Sequence, residues 1–529
     1  MVVVEYTYEE MKRLVDLPLE KMIETLSNLG APSEYEPDVK KIIAELTPNR
    51  PDWYSMEGLA RSLKIYNGKK HPEYTAKKSD YKVMVDHSVS KIRPYTVCVV
   101  IKNLKLNDQR VRDIILLQEK LINTLGRKVK KFGLGVYPLH AINFPIKYTT
   151  MNPEEIEYIP LGYDRPLNAN QILAEHKKGN EHGHILAGHK RYPVFVDNKN
   201  KIMALIPIVN SAETGKVDEK TTEIFVEVTG NEEYICMAAL NILTCTFADM
   251  GGVVYSVEVK YKDRIVTSPV LSNRKIKLDH KQITRILGIE LKEKEIVKYL
   301  TMMGYGYVKG VVSIPPYRAD IIGEIDIIED IAIAYGYNNF KPTLPDFFSS
   351  GNIIKQYNDA DDILRGMGFL ELKTFILTNE LKLENIGYKS STTKIANPNT
   401  QDYTIVRPNL LVSMLDVFEL NKMKKVPQKV YEIDIVREDE RTEKRISFGL
   451  MDRNVDFSTV RGYLQTLMNE IGNQFELEHI DLDIFDNEIS SKIIVNGKQI
   501  GVFGKVNKGV LDKLGIGFDI CLCEITSEK

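Results

Sequence analysis

The sequence predicts an α+β fold in several domains, and three observations carry that prediction. The chain has 529 residues with 43% hydrophobic content, more than one compact core accommodates. Between 83 and 263, short β-rich segments (YTVCVVIKNL, YPVFVD, KIMALIPIV, EIFVEV) alternate with helical ones, the pattern of a sheet with helices packed on it. Beyond 347, alternating strands such as KVYEIDIVRE and ISFGLM again mix with helices over a length sufficient for a separate core.

Four regions follow in order. Residues 1–82 hold a helical pattern from Met11 to Leu29 and the stretch NRPDWYSMEGLARSLKIYNG, where Arg50-Pro51-Asp52 is a turn and Ser55 with Glu57 opens a helix ending at Gly68,. The lysine-rich GKKHPEYTAKKSDYK then reads as a linker. Residues 83–263 form the sheet-containing domain, with helices expected over Asp108–Leu125 and Glu232–Met250. Residues 265–344 run strand, helix (HKQITRILG), helix (KEKEIVKYLTMMG), strand (VSIPPYR), helix, a small winged-helix-like or DNA-binding-like α/β unit closed by Pro342 and Pro345,. Residues 347–529 complete the chain.

Charge and cysteine content narrow the function. Lys+Arg 71 against Asp+Glu 73 leaves a net charge of -2, which argues against a protein devoted to gripping nucleic acid and leaves room for a local basic patch. No apolar window is long enough to span a membrane, and MVVVEYTYEE lacks the regions of a signal peptide, so a cytoplasmic location is expected. Five cysteines (Cys98, Cys236, Cys245, Cys521, Cys523) include no C-x-x-C pair, which suits a reducing compartment.

Chemistry concentrates in PPYRADIIGEIDIIEDIAIAYGYNNF, where Asp320, Glu324, Asp326, Glu329 and Asp330 stand among isoleucines and alanines. A helix from about Glu324 to Tyr335 places Asp326, Glu329 and Asp330 at i, i+3 and i+4 on one face, with Asp320 on the incoming loop. Crowded carboxylates need a cation or a basic partner, and oxygen-only ligation suits Mg²⁺. Acids also favour a helix N-terminus through the macrodipole.

This stretch resembles the corresponding element of the phenylalanyl-tRNA synthetase β subunit in its short archaeal and eukaryotic form. NRPDWYSMEGLAR is similar to that family's N-terminal element, GHKRYPVFVDNKNKIMALIPIVNSAETGKV with TTEIFVEVTG to its editing module, and ANPNTQDYTIVRPNLLVSML with IGVFGKVNKGVLDKLGI to its C-terminal core. The resemblance implies Mg²⁺ held by Asp320, Asp326, Glu329 and Asp330 at the contact with an α subunit. It implies a degenerate class II synthetase core, an antiparallel sheet with helices, over 347–529. It also implies an α2β2 heterotetramer that attaches phenylalanine to tRNA(Phe), with ATP and the aminoacylation residues on α. The chain's length leaves no room for the additional RNA-binding modules of the longer bacterial form. An ATP site of this class needs arginines to neutralise the triphosphate; Arg437 could serve as one, but GIGFDICLCEITSEK contains none.

The resemblance further implies hydrolysis of tyrosine misattached to the tRNA, and the phenolic hydroxyl offers a polar pocket a strong handle. Asn210 and Ser211 follow an apolar strand, while Glu227 and Thr229 share one strand face,. Glu227 could accept the hydroxyl, with Thr229, Asn210 or Ser211 placing water or the ester; the alternative is a solvated strand face. A subunit that binds tRNA and assembles without hydrolysis is the competing reading of the whole chain. A free-standing Mg²⁺-dependent phosphohydrolase is weaker, for no phosphate-binding motif lies near the acids.

Three further motifs have ordinary explanations. His176, His182, His184 and His189 lack a fixed ligand spacing and read as a polar loop rather than a zinc site. RKVKKFG (Arg127, Lys128, Lys130, Lys131) reads as a solvated helix end, with tRNA phosphate contact as the alternative. Trp53, the only tryptophan, reads as an anchor in the core or an interface,.

Overall fold

The computed structural model describes residues 2–344, 351, 359–389, 392–438 and 440–526. It divides into two compact units, Met1–Leu344 and Pro345–Lys529. Pro345 and Phe347, which mark the expected boundary, lie outside the described residues.

In the first unit, strands Val2–Thr7, Lys41–Leu46 and Ser33–Glu36 form a three-stranded sheet flanked by helices. The helical pattern from Met11 to Leu29 is two helices, Tyr8–Val15 and Leu19–Asn28. Pro18 cannot continue a helix, and Asp16 ends the first one in a left-handed conformation at φ 52°,. Ser55 caps Met56–Tyr66 by accepting from Gly58 N–H at 3.1 Å,. The expected linker is pinned to the sheet domain. Lys77 N–H bonds Val254 O and Ser256 N–H bonds Lys77 O, while the Tyr74 hydroxyl donates to Asp249 at 2.8 Å.

The large sheet of this unit has ten strands, ordered Val209–Asn210, Ile202–Leu205, Tyr192–Val196, Ile146–Met151, Lys82–Val85, Val253–Lys260, Tyr95–Lys102, Ile224–Gly230 and Phe132–Pro138, with Ile265–Ser268 paired to Val253–Lys260. Ile265–Ser268 therefore closes this sheet instead of opening the small unit, whose three strands are Arg274–Lys277, Val311–Ile314 and Gly306–Val308. Helix Glu233–Asp249 lies under the central strands. One buried core joins it to Trp53, Leu59, Ile283, Ile314 and Ile331, and two smaller cores pack the rest of this compact unit around Tyr148 and Phe195 and around Ile172 and Val194.

The second unit holds a seven-stranded sheet ordered Leu370–Glu371, Gln428–Glu438, Arg441–Asp452, Asp519–Thr526, Lys498–Val506, Phe485–Val495 and Glu476–His479, antiparallel except at its first edge. Alternation along Asp519–Thr526 sends Cys521, Cys523 and Ile525 to the core beneath helix Phe457–Glu470,. Ile520 and Leu522 go to the core beneath Leu411–Leu420. Glu524 is on that second face. Among the described residues no helix is long and apolar enough to cross a membrane.

Candidate functional site

Strand Ile224–Gly230 is buried along its whole length between Tyr95–Lys102 and Phe132–Pro138. Glu227 and Thr229 therefore face the interior, at 1% and 0% exposure, and the solvated-face alternative does not hold. Their register partners on Phe132–Pro138 are Gly135 and Gly133. A Cβ on Gly135 would lie 2.6 Å from Tyr137 Oη and 2.7 Å from Glu227 Oε1, and one on Gly133 would lie 2.8 Å from Pro207 Cβ. The two glycines make room for the polar groups, the close approach that a strand glycine permits.

Tyr137 Oη donates to Asn210 Oδ1 at 3.1 Å and stands 3.5 Å from Glu227 Oε1. Glu227 Oε2 and Thr229 Oγ1 are buried without a hydrogen-bond partner, an arrangement native interiors rarely tolerate unless a ligand or water completes it. Burial pushes the Glu227 carboxyl up to about 8, against the opposing pull of Arg93, Tyr137 and the neighbouring Thr229 hydroxyl. The group is thus predominantly neutral at pH 7, able to donate as well as accept. Asn210, Glu227 and Thr229 line one cavity of about 530 Å³, walled by Ile114, Ile122, Val129 and Ile206 and reached by His176 and His182.

The fourth expected residue, Ser211, is absent from that lining. It caps a short helix, accepting from Glu213 N–H at 3.3 Å. Of the four histidines, His176 and His182 line this cavity and His184 and His189 do not. His176 bonds Leu161 O with Nε2 and accepts Lys178 N–H on Nδ1, a local cap. Three participants escaped the sequence reading: Tyr137, Gly135 and the buried Arg93, which donates to Val129 O at 3.2 Å and Thr229 O at 2.8 Å. Gly-x-Gly inside a strand, FGLGVY, was the available signal.

The acid cluster is answered from within the chain. Arg318, buried, forks onto Asp320 with Nε 2.9 Å from Oδ1 and Nη2 2.7 Å from Oδ2, and Nη2 lies 2.6 Å from Asp330 Oδ2. Tyr305 also donates to Asp330. Burial disfavours the Asp320 carboxylate, yet Arg318, with Arg50 behind it, holds its pKa below the ordinary 3.8. Asp326 Oδ2 accepts from Ile322 and Gly323 N–H at 2.7 and 2.8 Å, closing the start of helix Glu324–Tyr335. Glu329 is exposed. The structure thus brings Asp320 and Asp330 together on a guanidinium and leaves Asp326 and Glu329 apart. Four carboxylates are chemically apt for Mg²⁺, but as arranged in this chain they are not gathered around one point. Among the described residues no group of three or more His, Cys, Asp or Glu is placed to hold a metal.

In the second unit a cavity of about 750 Å³ opens over the strands Arg441–Asp452 and Asp519–Thr526. Its central cation, Arg445, is already shared among Glu524 (2.8 Å), Glu438 and Glu443. Glu524 also accepts from Leu410 and Leu411 N–H. Arg437 bonds Thr393 and Thr442 and is not part of the lining. Lys389, Arg441 and Lys498 also line the cavity, but the cation on its floor, Arg445, is already committed to three carboxylates.

Comparison with known proteins identifies the family. The phenylalanyl tRNA synthetase beta chain CLM domain family matches residues 349–527, and the tRNA synthetase B5 domain family matches 276–337. The chain is 35% identical to the phenylalanine–tRNA ligase beta subunit of Archaeoglobus fulgidus over 540 residues, covering 99% of this chain and 98% of that one. It is 33% identical to that of Methanosphaera stadtmanae over 556 residues, covering 99% of each. The crystal structure of an N-terminal fragment of the phenylalanyl-tRNA synthetase β subunit from Pyrococcus horikoshii is similar to 63% of this chain and 99% of that one, with TM-score 0.60 and 31% identity. The chain belongs to the phenylalanine–tRNA ligase β subunit family, and so is a subunit of an aminoacyl-tRNA synthetase.

Proposed function

We propose that the chain works with an α subunit, in an α2β2 assembly, to attach phenylalanine to tRNA(Phe), and that it hydrolyses Tyr-tRNA(Phe) in the cavity beside Glu227. The first part draws on its relatives, which are named as phenylalanine–tRNA ligase β subunits. Assignment of ATP and phenylalanine to α is supported by the second unit, where a degenerate class II core would present Arg445 already neutralised. Mg²⁺ at Asp320, Asp326, Glu329 and Asp330 belongs, in this reading, to the assembled enzyme.

The hydrolytic part is carried by one observation, the unpartnered Glu227 Oε2 and Thr229 Oγ1 in the same cavity. A tyrosyl group would pair its phenol with Glu227. A phenylalanyl group would leave that buried carboxyl unpaired, a difference that sites of this kind turn into discrimination of about 10⁴–10⁵. Asn210, its amide oxygen already engaged by Tyr137, keeps its NH₂ for the ester or a water, and Thr229 supplies a hydroxyl next to it.

The test is phenylalanine charging and Tyr-tRNA(Phe) clearance by the chain co-expressed with its α subunit, comparing wild type with Glu227→Ala. Charging that requires both chains, with clearance alone lost in the variant, supports the reading. A wild type that never clears Tyr-tRNA(Phe) refutes the hydrolytic part.

A further inference from the structure

The basic run RKVKKFG has an unusual backbone. Arg127, Lys128 and Val129 are consecutive residues with φ of 47°, 52° and 67°, the left-handed region in which a Cβ crowds the following carbonyl. Such a run persists only where its surroundings hold it. Here Lys131 N–H closes the turn onto Gly126 O at 2.9 Å. Arg93 then ties the turn to the site strand, donating from Nη1 to Val129 O and from Nη2 to Thr229 O.

The turn divides its side chains. Val129 points inward as part of the cavity wall. Arg127, Lys128 and Lys130 are exposed, and among the described residues of the run Lys131 alone has a carboxylate partner, Glu232. Lys178 and Lys216, also exposed, line the same cavity, whose acidic rim residues are Glu119 and Glu181. The inner end, at Glu227 and Thr229, is dressed for a small polar group, whereas the exposed Arg127, Lys128 and Lys130 lie outside the lining and flank its wall residue Val129 in sequence, and a row of cations there suits a chain of phosphates. A solvated helix end would account for the charge but not for three left-handed residues fixed to the site strand.

Resting on the reading of the cavity as a deacylation site, we propose that the turn Arg127–Lys130 is a docking rim for the phosphodiester backbone of the RNA strand whose aminoacylated end enters between Val129 and Glu227. The rim sets where the RNA lies; Glu227, Thr229 and Asn210 handle the acyl group.

The experiment uses the full chain co-purified with a phenylalanine–tRNA ligase α subunit, titrated with tRNA(Phe) over a range of salt and assayed on Tyr-tRNA(Phe). Wild type is compared with Arg127→Gln/Lys128→Gln and with the same pair plus Lys130→Gln, whose altered side chains are exposed and whose thermal melts report intact folding. The expected result is an affinity loss of about 10-fold at low salt, a salt slope shallower by about 0.7 per lost phosphate contact, and an effect on clearance that appears in KM rather than kcat. Wild type that clears Tyr-tRNA(Phe) while both variants match its KM and salt slope overturns the docking rim alone. Wild type without clearance overturns the rim together with the reading on which it rests.

Discussion

Arg318 Nη2 lies 2.6 Å from Asp330 Oδ2, with both side chains almost wholly inside the protein. The same guanidinium grips Asp320 in a fork, and its Cζ lies 5.2 Å from the centroid of the Tyr305 ring. Removing one partner of a buried ion pair strands the other, so Arg318→Ala is expected to destabilise the chain by about 3–5 kcal/mol in urea unfolding. The pH dependence follows from Asp320, whose folded pKa is depressed. Its contribution is present above the ordinary carboxylate range and lost as pH falls through the folded value,. Wild-type stability should decline below pH about 4 more steeply than that of Arg318→Ala.

Asp326 and Glu329 separate structure from assembly. Asp326 holds two backbone N–H groups, so Asp326→Ala should cost about 1 kcal/mol, whereas Glu329→Ala, at an exposed position, should stay within about 0.5 kcal/mol. Mg²⁺ added to the chain alone should shift its melting temperature by less than about 1 °C, because Arg318 already serves Asp320 and Asp330. A larger shift, abolished by EDTA, would show that the isolated chain binds the ion.

Much of this architecture was legible in the sequence for reasons that differ by region. Period-two runs marked the strands, and Ser55 marked its helix correctly because a cap is a local device. The helix from Met11 failed at Pro18, a local signal that its apolar spacing outweighed. Glu227 and Thr229 could be proposed from alternation, but their burial depends on two neighbouring strands far away in sequence. Arg318 stood beside the acids in PPYRAD, yet its role needs the fold to deliver Asp330. FGLGVY signals a close approach at Gly135, but a strand glycine does not say that Tyr137 and Glu227 are what approaches it.

Glu227 gives the cavity a pH signature. A carboxyl raised to about 8 stabilises the fold fully below its unfolded value near 4.5 and loses that contribution as pH rises through 8,. Glu57, raised to about 7 by burial, acts in the same direction. Chemical denaturation from pH 5 to pH 9 should show stability falling across the window. Glu227→Gln should flatten the slope up to about pH 8 and Glu57→Gln only up to about pH 7,, and an unchanged slope in both would show that neither carboxyl is buried neutral.

The cavity of the second unit should not take ATP. Arg445 is claimed by Glu438, Glu443 and Glu524, so the buried cation that class II chemistry would turn on a triphosphate is already neutralised. Calorimetric titration of the chain alone is expected to show no heat of ATP binding at millimolar ligand. Arg445→Ala should unfold the second unit's core far more readily than it affects any nucleotide signal, because it leaves the buried Glu524 facing two other carboxylates,.

Gly135 provides the sharpest geometric test. The missing side chain at this position is what lets Tyr137 Oη reach Asn210 while Glu227 fills the space beside it. An added methyl would sit 2.6 Å from Tyr137 Oη and 2.7 Å from Glu227 Oε1, closer than any tolerated contact, and both side chains are buried. Gly135→Ala is therefore expected to cost about 1–3 kcal/mol through overpacking. Because the displaced groups are the polar ones, clearance of Tyr-tRNA(Phe) should fall at least as far as in Glu227→Ala while phenylalanine charging persists. Gly68→Ala, also a glycine substitution but at a helix end with open space around it, should cost stability through its φ of 86°, without touching clearance, and the contrast between the two variants separates a site effect from a general loss of fold.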